Sequence, residues 1–209
     1  MARSALGFDP LAALPKSWVI LWKAAAELCL VIAVFITAHS KVARKISLYV
    51  FLIFMADIIL ALGFTALAGA LFALAHLYVV FIYFKLSSPT DTPPRLKAIS
   101  YVPLIAVLAL CLYLALNHNF QLLALFPAFS ALAALAALRS PYPKLLTGLG
   151  AMIFWMSDMV FVLAVIFTGS ATSAGWMVWL TFASGLLLMT LGFIRQHTHK
   201  IRPKLSASL

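Results

Sequence analysis

Lys23, Glu27, Asp57, His76 and Asp158 are the ionisable residues that remain inside apolar stretches once the loops of this chain are set aside. The chain has five acidic residues in all, and three of them are in this set. A charge near the middle of a hydrocarbon layer costs at least about 2.5–3.5 kcal/mol, so such residues face a bundle interior or a wet cavity and mark a functional path. Two carboxyls in different surroundings can divide the work of acid and base, one staying neutral to give a proton and the other staying anionic to stabilise a cation. Asp57 and Asp158 are the residues to which this applies most directly, since a short acid side chain cannot snorkel to water from mid-span. Lys23 and Glu27 are spaced i, i+4 and share one helix face. They are equally readable as a structural ion pair, or Lys23 as a snorkelling cation. His76 suits a proton relay and suits equally a hydrogen-bonded contact between helices.

The elements that must position these residues are helices. Hydrophobic residues make up 65% of the 209-residue chain and charged residues 10%, against about half and about a quarter in soluble domains. The excess recurs in segments of about 17–25 residues, enough to cross a bilayer. Spans are expected at about 18–38, 46–63, 65–84, 98–116, 119–138, 145–167 and 174–194. Lipid leaves no water for open backbone groups, so these are helices. The fold class expected is all-α, a polytopic transmembrane bundle of about seven spans forming one domain over 1–209. Lys41, Arg44 and Lys45 follow span one, Lys85, Arg95 and Lys97 follow span three, Arg139 and Lys144 follow span five, and Arg195, Lys200, Arg202 and Lys204 form the tail. The intervening loops carry no lysine or arginine. This alternation places the N-terminus outside and the C-terminus in the cytoplasm, and it suits a bacterial inner membrane.

It also explains the net charge of +10 without nucleic acid as a partner. Trp18, Trp22, Trp176 and Trp179 sit near span ends as an interfacial belt. Cys29 and Cys111 lie in apolar segments and suggest neither a disulfide framework nor a metal site. The tail run RQHTHK, 195–200, reads as a solvated basic tail. A single buried histidine is too few for a hydrolytic zinc site, and no metal or cofactor is expected. The loop SSPTDTPPR, 87–95, is a linker whose prolines oppose helix. The N-terminal stretch lacks the apolar core and cleavage site of a signal peptide.

At these same positions the chain resembles the YhhN-like lysoplasmalogenase family of membrane hydrolases. The likeness runs from about residue 19 to 194. It is carried by GAMIFWMSDMVFVLAVIF, 150–167, with its Ser-Asp pair; by LIFMADIILALG, 52–63; by ALFALAHLYVVFIYF, 70–84, with a histidine followed by a tyrosine; and by Lys23. Ala56 and Ala24 replace a family glycine and proline, Tyr78 falls one position early, and Thr181 and Gly185 stand where a tyrosine and a Gln or His are usual. The family's usual span count is eight, one more than is counted here.

The resemblance implies hydrolysis of the vinyl ether bond of a lysoplasmalogen, with a lysophospholipid drawn from the bilayer as the partner. Such a bond is cleaved by protonating its β-carbon, adding water to the resulting oxocarbenium ion and letting the hemiacetal collapse. Asp57, Asp158 and His76 are then the catalytic residues, with Asp158 the favoured acid. Lys23, Glu27, Tyr78 and Ser157 fall on the substrate side. A proton-coupled transporter would use similar buried acids, although no inverted repeat is evident. A noncatalytic membrane protein is a third possibility. A retinal photoreceptor is set aside, because span seven has no lysine.

Overall fold

The computed structural model describes residues 16–37, 41–86, 93–117, 125–140, 144–168 and 175–206. The N-terminal stretch 1–15, the proline-rich loop up to residue 92, the segment 118–124 that opens the fifth expected span, and the side chains of 196–200 in RQHTHK lie outside that description. Within it the protein is all-α. The helices are α1 Lys16–Thr37, α2 Lys41–Ala61, α3 Thr65–Leu86, α4 Pro94–Ser100, α5 Val102–Leu116, α6 Leu125–Arg139, α7 Leu149–Thr168 and α8 Gly175–Ser206, with a π-helical turn at Lys144–Gly148 leading into α7. Only Tyr101 separates α4 from α5, so the two run as one rod. Five segments are long and apolar enough to cross a membrane: Ile20–Thr37, Thr65–Lys85, Pro94–Leu116, Leu145–Thr168 and Gly175–Arg195. The chain is an integral membrane protein. Two other helices differ in kind. In α2, Lys41, Arg44, Lys45 and Asp57 interrupt the apolar run, and α6 has 15 residues, short of the roughly 20 that span a bilayer core.

The pairs α1–α2, α2–α3, α5–α6, α6–α7 and α7–α8 pack side by side, and α3 also packs on α6. The tightest link joins α2 to α3. The Gly63 N–H donates to the Leu60 carbonyl at 3.0 Å and the Phe64 N–H to the Ile59 carbonyl at 3.1 Å, which is the Schellman pattern of helix termination. That pattern needs a residue in the left-handed region, and Gly63 has φ +93°. At the bundle centre lies α6, LFPAFSALAALAALR, buried on almost every side from Ser130 to Leu138. Its alanines are what allow α3 and α7 to approach it closely. The interior is filled by Tyr49, Ile53, Phe154, Phe182, Met189 and their neighbours.

The pairing of α7 with α8 depends on glycine. A Cβ on Gly150 would lie 2.6 Å from the Met189 backbone nitrogen, and one on Gly185 would lie 2.6 Å from the Phe154 backbone nitrogen. Further along the same seam, Gly192 is in contact with the Thr147 hydroxyl. Gly185, one of the departures from the family pattern, is thus a packing residue. Gly185→Ala must spread the two helices, because the obstacle is backbone. It is expected to lower stability by about 1–3 kcal/mol. Gly175→Ala meets nothing within 4 Å and should stay within about 0.5 kcal/mol. Thermal unfolding of the two variants in detergent tests the contrast, and equal melting temperatures would contradict it.

Candidate active site

Asp57 lies beside Ala56, which is fully buried on the interior stripe of α2 formed by Ile46, Tyr49, Val50 and Ile53. Asp57 falls four residues after Ile53 and seven after Val50, so it continues that stripe at nearly the same angle, and its carboxyl reaches α1. There it meets Glu27, whose side chain is 3% exposed. The two carboxyls come within hydrogen-bond reach of each other, and the Lys23 charge is near both. Both Glu27 oxygens are buried and find no hydrogen-bond donor among the described residues. Two carboxylates have no proton to donate to each other, so a hydrogen bond between these groups requires one shared proton. With such a proton the pair would carry one negative charge opposite one ammonium. The i, i+4 relation of Lys23 and Glu27 therefore contributes to a three-residue cluster rather than a simple ion pair.

Asp158 occupies a different interior. It is 8% exposed on α7, with the Ser130 hydroxyl of α6 within hydrogen-bond reach and the Tyr49 hydroxyl of α2 within range of its charge. Its Oδ2 has no partner among the described residues. Ser130 also approaches the Phe126 carbonyl at 3.2 Å, and its one proton serves one acceptor at a time. The charged and hydrogen-bonding neighbours of Asp57 are Lys23 and Glu27, and those of Asp158 are Ser130 and Tyr49. The carboxyl that approaches Asp57 is that of Glu27 on α1. Asp57 is eight residues from Tyr49 on α2, about 12 Å along the axis.

His76 is 2% exposed on α3. Its Nδ1 lies 2.7 Å from the Phe72 carbonyl. A carbonyl only accepts, so Nδ1 donates there, and Nε2 of the neutral ring is left as an acceptor. Nε2 is buried with no partner. The ring meets Phe154 at 5.2 Å and the Tyr49 ring at 6.4 Å, both edge-on. The Tyr49 hydroxyl is likewise buried without a hydrogen-bond partner. Buried polar atoms are rarely left unmatched. Three such atoms, on Tyr49, His76 and Asp158, face the interior from three different helices.

The two remaining expected residues stand apart from this group. Ser157 donates to the Val178 carbonyl of α8 at 2.8 Å, which makes it a tie between helices. Tyr78 is half-buried and lies two positions beyond His76, about 200° around α3. It cannot share the His76 face. Tyr49 and Ser130 were not expected from the sequence. Tyr49 reads there as one aromatic among many, and Ser130 as one hydroxyl in an alanine-rich span. The available signal was helical spacing, since Tyr49 keeps the interior stripe with Ile46, Val50 and Ile53.

Beside His76 opens an apolar groove of about 580 Å³ between the N-terminal half of α3 and the start of α6. This volume lies in the range of about 300–1,000 Å³ typical of ligand clefts. Small residues of α3 form its floor and Phe126 and Phe129 its wall, with His76 at one end.

Apolar membrane helices closed around buried carboxyls and a histidine define a membrane protein with an intramembrane polar site. The chain belongs to the YhhN family, whose model matches residues 18–193. Comparison with the curated proteins and with the solved structures gives no match.

The Glu27–Asp57 contact has a direct consequence. A glutamine at position 27 carries an N–H that can donate to Asp57 in place of the shared proton. Glu27→Gln is expected to keep stability within about 1 kcal/mol, while Glu27→Leu leaves Asp57 half-buried without its hydrogen bond and costs about 1–3 kcal/mol. Denaturation of both variants in detergent checks this. A leucine variant as stable as the glutamine variant would refute the hydrogen bond.

Proposed function

We propose that the protein is a hydrolase that cleaves the vinyl ether bond of a lysoplasmalogen-type lysophospholipid inside the membrane, releasing a fatty aldehyde and a glycerophospho-base. The observation that carries this is the grouping of buried, unmatched polar atoms on Asp158, His76 and Tyr49 in a chain of the YhhN family. A vinyl ether needs a neutral acid near its β-carbon and an anion to stabilise the cation that follows, the same division of labour two carboxyls perform on glycosides.

In this mechanism Asp158 gives its proton to the β-carbon, and the π electrons form the new C–H bond. The oxocarbenium ion is stabilised by the carboxylate left behind and by the single negative charge of the Glu27–Asp57 pair. Water adds to the carbon bearing oxygen, and the proton it loses restores the Asp158 acid. The hemiacetal then expels the glycerol oxygen, which takes the hemiacetal proton, and the aldehyde departs. His76 Nε2 is an acceptor for a hydroxyl held at this level. Lys23 balances the Glu27–Asp57 charge or meets the lipid phosphate. Ser157 and Tyr78 support the substrate side through packing. In the bilayer seven rods cross, α4 and α5 counting as one and α6 with its preceding residues as another, with the N-terminus outside and the basic helix ends in the cytoplasm, as in a bacterial inner membrane.

A proton-coupled transporter is the second reading, because a shared proton between Glu27 and Asp57 is the kind of station a relay uses. Aldehyde release from a lysoplasmalogen by the purified protein separates the two. Asp158→Asn should lower turnover at least about 100-fold, the usual scale of a lost acid, and Asp57→Asn should lower it by a comparable factor with the fold retained. Full turnover in Asp57→Asn would assign the chemistry to Asp158 alone. Proton-coupled uptake of a solute with no aldehyde release would overturn the hydrolase.

A further inference from the structure

The groove beside His76 combines two features that do not depend on each other. Ala66, Gly69, Ala70 and Ala73 follow one another at i, i+3, i+4 and i+7 along α3 and line it together with Phe126. They form a shallow apolar channel, and Ala66 and Ala70 are exposed at the bundle surface. A channel open on that side of a membrane protein faces lipid chains. His76 lines its inner end, and His76 Nε2 is buried, without a partner among the described residues and, with Nδ1 committed to Phe72, able only to accept in the neutral ring. From Thr65 at the outer end to His76 is eleven residues, about 16 Å along the helix.

We infer that this groove holds the single hydrocarbon chain of a lysolipid, with the lipid's free glycerol hydroxyl donating to His76 Nε2. The choice of lipid rests on the hydrolase proposed above. The groove runs between α3 and the start of α6, and its volume of about 580 Å³ suits one hydrocarbon chain rather than two. The ether oxygen, ester carbonyls and phosphate oxygens of a glycerolipid only accept, and an acceptor nitrogen gains nothing from them. The hydroxyl freed by loss of the second chain donates. A choline lipid with both chains has no donor at all and leaves Nε2 unmatched. His76 and the groove together therefore select single-chain lipids with a free hydroxyl, independently of whether the chain carries a vinyl ether.

The probe that separates binding from turnover is an uncleavable saturated 1-O-hexadecyl lysophosphatidylcholine, with its 2-O-methyl derivative and an octyl-chain homologue. Binding to the full chain in detergent is measured by native mass spectrometry. A misfit in an apolar pocket discriminates roughly 10–200-fold. Ala73→Phe, one turn from His76, should weaken the hexadecyl lipid at least about tenfold, and the octyl lipid less. Ala66→Phe at the exposed outer end should affect the hexadecyl lipid alone. Leu74→Phe, on an exposed face outside the groove, is the control for the bulk of an added ring, and thermal unfolding confirms folding of each variant. The methylated lipid should bind at least about tenfold more weakly than its parent, and His76→Leu should erase that difference. Equal binding of the hexadecyl lipid to wild type and Ala73→Phe overturns the chain site. Equal binding of the methylated lipid to wild type overturns the hydroxyl contact. Selective binding with no aldehyde release from a vinyl ether would sink the hydrolase and leave this site standing, whereas turnover indifferent to Ala73→Phe would do the reverse.

Discussion

Hydrocarbon offers a carboxyl group neither water nor a counter-ion, and each acid inside this bundle has to find its answer on a neighbouring helix. Glu27 and Asp57 answer each other across α1 and α2, with Lys23 supplying the one cation nearby. Asp158 is answered in part by Ser130 on α6. His76 uses a carbonyl of its own helix for one nitrogen and leaves the other open. These contacts exist only while the helices stay close, and closeness here comes from residues without side chains to keep them apart. The backbone contact of Gly150 with Gly185 holds α7 against α8, and the alanines of α6 let α7 and α3 come in beside it. Packing by small residues thus precedes the chemistry, since a bundle loosened at the glycines would separate the groups that make buried acids tolerable.

The helical layout was largely legible in the sequence. Hydropathy and basic residues separate the helices well, and Gly63 marks the end of α2 because only a left-handed residue closes that turn. The set of buried ionisable residues was legible too, since scarcity of acids makes each of them conspicuous. Their partnerships were not. Spans two and six can place Asp57 and Asp158 at similar depths, but depth says nothing about which helix each faces, and Asp57 reaches Glu27 of α1 while Asp158 sits beside Ser130 of α6. Ser157 shows the same limit from the other side. Its neighbour Asp158 looks into the polar interior, whereas Ser157 faces α8 and ties α7 to it. Tyr49 went unseen because its hydroxyl matters through what it lacks, and an unmatched atom leaves no trace in a sequence.

Small residues play two opposite parts, and the difference is whether a neighbour fills the space they leave. At Gly150 and Gly185 another backbone fills it, so the space is spent on packing and any added carbon collides. Along Ala66, Gly69, Ala70 and Ala73 the floor of a groove stays open, and over Gly69 the Phe126 ring lies 3.3 Å from a Cβ placed there. The same composition therefore gives rigidity on one side of α6 and vacancy on the other. A rigid α7–α8 pair fixes Asp158 and Phe154, and Phe154 in turn fixes the His76 ring at 5.2 Å. The open stripe of α3 ends at that same ring. An apolar chain lying in the stripe would bring its polar end to a histidine whose orientation is already set and whose free nitrogen has nothing else to bind. Pre-organisation of that kind costs the substrate little ordering, because the protein has already fixed its own groups when it folded.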